Sequence, residues 1–133
     1  MSTEKLGKPQ ISKKGIILSV IAILVLTVLE FPAPLGFETR PQSDVSLIWL
    51  AFFLIILVSE IAVIPLIFKF PKLAINFGIL VGILNIVQVI ADQTHMMQPE
   101  VATFGYSLLE YSVATISILL IYFCWKITIK LRK

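Results

Sequence analysis

Two carboxylic acids, Glu60 and Glu110, stand inside long apolar runs of this 133-residue chain. An ionisable group at the centre of a membrane helix costs about 2.5 to 3.5 kcal/mol on insertion scales, so each is a functional candidate by default. Counted from the middle of its run at helical rise, Glu60 lies roughly 5 Å to one side of the midplane and Glu110 roughly 5 Å to the other. Asn85, Gln88 and Asp92 recur at i, i+3 and i+7, which sets them on one helix face. Tyr106, Glu110 and Ser117 share a face of the next run. If the two runs are antiparallel, Tyr106 comes level with Gln88, and Glu110 with Asn85. Glu30, Asp92, His95 and Glu100 would then sit near the mouth of a polar funnel that narrows toward Glu110 and Asn85.

Glu60, Asn85, Gln88, Asp92, Tyr106 and Glu110 are therefore the candidate ligand-binding residues. Three uses compete for them: hydrogen bonds that fix the helices to one another, a pocket for a small ligand or headgroup, and contact with another subunit. Glu60 has no Lys, Arg or His at its depth, so it is expected to keep its proton and act as a hydrogen-bond donor. Pro65, one turn further on, lacks the N–H that would bond the Ile61 carbonyl, which predicts a kink unless local adjustment satisfies that carbonyl. Ala74, Gly78 and Gly82 form a smooth stripe for close helix packing, within the bundle or in a dimer, with packing inside the bundle favoured. His95 is the only histidine, spaced i, i+3 from Asp92, and a single imidazole does not make a zinc or haem site. It reads as a solvated interfacial residue, and no metal is expected. No elbow or oxyanion loop accompanies a serine, so no catalytic residues are assigned. The single cysteine, Cys124, excludes an internal disulfide and every Cys-based metal motif.

The elements that must carry these residues follow from composition. Of the chain, 58% is hydrophobic and 14% charged, with a mean hydropathy of +0.97. A soluble domain carries about 25% charge. Apolar runs at about 15–31, 45–68, 73–91 and 101–125 are each long enough for a membrane helix and fill the chain as one domain. Lys5, Lys8, Lys13 and Lys14 before the first run look like the start of a secretory signal. Glu30-Phe31-Pro32-Ala33-Pro34 after it lacks a small-x-small cleavage pattern, so an uncleaved first helix is expected.

Ten of the 11 basic residues fall before the first run, between the second and third, or after the fourth. Arg40 shares its connection with Glu38 and Asp44, and the third connection holds Asp92 and Glu100 without a base. Lys and Arg stay in the cytoplasm during insertion, so both termini are expected there. Trp49, Tyr106, Tyr122 and Trp125 near the run ends fit aromatic belts. The net charge of +3 is spread over these clusters rather than gathered in a patch, which argues against nucleic acid as a partner. Small multidrug resistance transporters have a similar size and helix count, but they carry a carboxylate inside the first helix. Here that helix has none before Glu30, which disfavours the family.

From Glu60 through Leu66-Ile67-Phe68-Lys69-Phe70-Pro71-Lys72-Leu73-Ala74 to Asn85 and His95, the layout resembles the DoxX-like membrane proteins. The resemblance covers 35 to 50 residues. It rests on a Glu in the second helix, a short basic turn, and an Asn and a His further along. The turn lacks the Gly and Arg usual in that family, and the first helix lacks its Gly-rich basic pattern. The resemblance implies a compact four-helix bundle, in some members a subunit of a quinone-linked redox complex, with Glu60 and Asn85 as the matching positions.

The expectation is thus an all-α integral membrane four-helix bundle, multi-pass in the cell inner membrane, surrounded by lipid and by other membrane subunits or copies of itself. No cofactor is evident, although a quinone or a lipid would suit the funnel. A non-catalytic accessory subunit or small-ligand-binding bundle leads. The alternatives are a proton-coupled carrier using Glu60 and Glu110, and an enzyme on a lipid-soluble substrate with Glu110 as acid or base beside Tyr106.

Overall fold

The computed structural model describes residues 12–30, 46–97, 101 and 103–132, leaving aside the side chains of 129–132. Lys5, Lys8, Glu100 and the connection bearing Glu38, Arg40 and Asp44 lie outside the described residues. The described chain is all α: α1 (Lys13–Glu30), α2 (Leu47–Lys69), α3 (Pro71–Gln93) and α4 (Phe104–Arg132). Neighbours in sequence pack side by side, and α4 closes the ring against α1. The bundle therefore has a lysine end, where α1 and α3 begin, and an acidic end, where α2 and α4 begin.

The helix limits have local causes. Ser46 caps α2, its side chain accepting a hydrogen bond from the Trp49 N–H. A residue before proline is pushed out of the helical region, so α2 stops at Phe70 and α3 starts at Pro71, where a missing N–H costs nothing. One residue thus joins two antiparallel helices. α2 runs unbroken through Pro65. α3 ends in a Schellman turn: Met96 N donates to Ala91 O at 2.9 Å and His95 N to Asp92 O at 3.1 Å. His95 occupies the left-handed position with φ 61° and is exposed, so it acts as a helix terminator.

Three helices, α2, α3 and α4, are long and apolar enough to cross a membrane. α1 has 18 residues and carries Lys13, Lys14 and Glu30 at its ends, so its uncharged stretch falls short of the ~20 residues of a full span. It is nonetheless integral to the core, with Ile23 and Leu26 fully buried.

The buried positions step by three and four: Ser19, Ile23, Leu26, Glu30 on α1; Ile56, Glu60, Val63, Ile67 on α2; Glu110, Val113, Ser117, Leu120, Cys124, Ile127 on α4. That is the seam of left-handed helix packing. On α3, Gly78 and Gly82 face α4. A Cβ on Gly82 would lie 2.7 Å from Ile121 Cγ1 and 3.1 Å from the Ser117 carbonyl, and one on Gly78 would lie 3.0 Å from Cys124 Sγ. The small-residue stripe is therefore spent inside the bundle.

Candidate functional site

The inward seam carries the polar residues. Glu60, Asn85 and Ser117 are fully buried, and Glu30, Asp92 and Glu110 nearly so. Ser117 turns its hydroxyl onto its own helix, donating to the Val113 carbonyl at 2.7 Å. The others fall into two groups at different heights.

The first group is a knot at mid-bundle. Asn85 Nδ2 of α3 donates to Glu60 Oε1 of α2 at 2.6 Å. Thr27 Oγ1 of α1 lies 3.2 Å from Glu60 Oε2 and 3.0 Å from the Ile23 carbonyl. A hydroxyl has one proton. With a neutral Glu60 every link is served: Asn85 donates to the carboxyl's C=O, the acid O–H donates to Thr27, and Thr27 donates to Ile23. With a carboxylate, the Thr27 proton must leave Ile23. The knot joins three helices through one side chain.

Counting rise alone set Glu60 and Asn85 on opposite sides of the midplane, yet they touch. The Cα–Cβ bond tilts toward the start of its own helix, and α2 and α3 are antiparallel, so the two side chains lean toward each other. The same lean corrects the pairing expected for Glu110. Its hydrogen-bond partner is Gln93 rather than Asn85, with Gln93 Nε2 donating to Glu110 Oε2 and, at 3.3 Å, to Ser107 Oγ. Tyr111 donates to Gln93 Oε1 at 3.2 Å. α4 also runs to Arg132, beyond the expected limit of 125, which places Glu110 nearer the acidic end.

The second group surrounds a cavity of about 20 Å³ at the acidic end that opens to the surface, lined by Glu30, Phe53, Gln88, Val89, Tyr106, Leu109, Glu110 and Val113. About 10 to 15 Å³ holds one water, so a water-sized group fits and a quinone ring does not. Both carboxyl oxygens of Glu30 and the Oε1 of Gln88 are buried without a hydrogen-bond partner, as is Asn85 Oδ1 in the knot. Glu30 also lies within electrostatic reach of Glu60. Thr27, three residues before it on α1, reaches Glu60, so α1 carries a residue of each group.

Of the candidates from sequence, the structure brings Glu60 and Asn85 together in the knot, and Gln88, Tyr106 and Glu110 around the cavity. Asp92 is buried near the end of α3, and it does not line the cavity. Sequence reasoning missed Thr27 and Gln93. Thr27 precedes Glu30 by three residues, so a search of α1 for polar neighbours would have found it. Gln93 lay two residues past the assumed end of its run.

Among the described residues, no group of three His, Cys, Asp or Glu is placed to hold a metal ion. No family model, no curated protein and no solved structure matches the sequence.

Proposed function

We propose that this chain is a non-catalytic, ligand-binding bundle of the cell inner membrane, with both termini cytoplasmic, that serves as an accessory subunit of a larger membrane assembly. The observation carrying the ligand-binding reading is the set of orphaned acceptors at the cavity, both oxygens of Glu30 and the Oε1 of Gln88. More than about 90% of buried polar groups find partners, so acceptors left bare beside a cavity call for a donor from outside the chain. With no cationic side chain among the described residues lining that cavity, the fitting ligand presents a small donor head, an ammonium or a hydroxyl, through the open mouth. The DoxX-like resemblance belongs to the same reading, since its two matching positions, Glu60 and Asn85, are hydrogen-bonded to one another. The orientation rests on the lysine distribution.

The test is extraction in mild detergent from native membranes, followed by mass spectrometry of every protein and small molecule that stays bound. A stoichiometric amine or alcohol, lost in Glu30→Gln, supports ligand binding, and stoichiometric partner proteins support the subunit role. A lone chain carrying neither contradicts both.

The place of Glu30 favours one second reading. It lies on α1 three residues past Thr27, which reaches Glu60, and it shares the cavity with Glu110, so the three carboxyls offer a path along which a proton-coupled carrier can pass protons. Unchanged substrate-driven proton flux in liposomes bearing Glu60→Gln would remove that reading.

A further inference from the structure

At the opposite end of the bundle lies a larger groove of about 270 Å³, between the start of α1 and the last third of α4. Its walls are Ser12, Lys14, Gly15 and Leu18 on one side and Tyr122, Phe123, Lys126 and Ile127 on the other. Two cations thus face one space, and among the described residues no acidic side chain lines it. Lys126 Nζ reaches the Tyr122 hydroxyl at 3.3 Å and lies 5.5 Å from the centre of that ring. Lys14 and Lys126 are both exposed. Like charges sharing a groove repel one another until an anion sits between them. The first turn of α1 adds the positive end of a helix dipole to the same space.

The rest of the lining selects among anions. Leu18, Phe123 and Ile127 give the groove apolar flanks, and Tyr122 and Trp125 stand at this level as interfacial aromatics do. A free anion uses only the lysines, whereas an anionic phospholipid uses both parts, its phosphate between the lysines and its chains along the apolar wall. Basic pockets between membrane helices near the cytoplasmic surface bind such headgroups. We propose that the Lys14/Lys126 groove binds the phosphate headgroup of an anionic phospholipid. This site shares no residue with the acidic cavity and stands or falls separately from it.

The full-length protein, delipidated in neutral detergent, is titrated with phosphatidylglycerol or phosphatidylcholine and followed by native mass spectrometry. Phosphatidylglycerol is expected to bind preferentially, weakened about fivefold in Lys14→Gln and about fivefold in Lys126→Gln. The double Gln variant loses the preference, while Lys14→Arg/Lys126→Arg retains it, and equal helicity of all variants by circular dichroism excludes unfolding as the cause. Lys13→Gln, outside the groove, leaves binding unchanged. Equal retention of the two lipids, or an undiminished preference in the double Gln variant, overturns the proposal. Displacement of bound lipid by millimolar inorganic phosphate assigns the groove to a free anion and overturns it equally.

Discussion

Glu60 and Glu30 are both carboxyls on the inward seam, close enough to interact, yet their surroundings differ in kind. Glu60 meets Asn85 from α3 and Thr27 from α1, so its polar atoms are used up within the chain. Glu30 buries both oxygens against a cavity without a partner. The difference separates a polar group that fastens helices from one left open for something else. Burial and residue type do not distinguish them, since both score as buried acids, and only the count of hydrogen-bond partners does. A carboxyl bonded on both oxygens adds stability, while one left bare costs stability until its ligand arrives.

That contrast can be broken in graded ways. The largest effect is expected from Gly82→Leu, which drives a side chain into Ile121 and the Ser117 carbonyl and parts α3 from α4, the helices that carry Gln88 and Glu110 to the cavity. Overpacking of this kind costs about 3 kcal/mol, and reversible unfolding in mixed micelles should register it as a large drop in midpoint. Asn85→Leu should cost about 2 kcal/mol in the same assay, because it strips the buried Glu60 of a donor. An unchanged midpoint would mean that the knot does not hold the helices.

Smaller changes sharpen the comparison. His95→Gly relieves a left-handed backbone at the end of α3, the helix that serves both groups, and should raise stability by about 1 kcal/mol in that titration. Glu30→Gln removes no hydrogen bond made within the chain, so in ligand-free protein a shift under about 0.5 kcal/mol is expected. A loss as large as that of Asn85→Leu would place Glu30 in the same structural class as Glu60.

Much of this architecture was legible in the sequence. Apolar length set out the helices, and the basic Phe68-to-Lys72 stretch marked the turn between α2 and α3, which narrows to Phe70 ahead of Pro71. A helix apolar all round gives little signal of which face turns inward, so the polar residues reported it: Glu60, Asn85, Asp92, Glu110 and Ser117 all lie on the buried side. The pairings were less legible. Rise per residue locates a Cα, whereas a long side chain leans by most of a turn toward its helix start, which moved Glu60 onto Asn85 and Glu110 onto Gln93. Thr27 left no sequence signal beyond its spacing from Glu30, because a threonine in an apolar run ordinarily bonds its own helix, as this one also does with Ile23.

The most direct test is a side-by-side purification of wild type, Glu30→Gln and Glu60→Gln from native membranes, with bound small molecules identified by mass spectrometry and unfolding midpoints measured on the same samples. The account predicts that wild type carries a small amine or alcohol. Glu30→Gln should lose it and unfold at the midpoint of wild type stripped of ligand, and Glu60→Gln should keep it at a midpoint below that of liganded wild type. A ligand retained by Glu30→Gln, or lost only when Glu60 is changed, would contradict the division between an open carboxyl and a closed one.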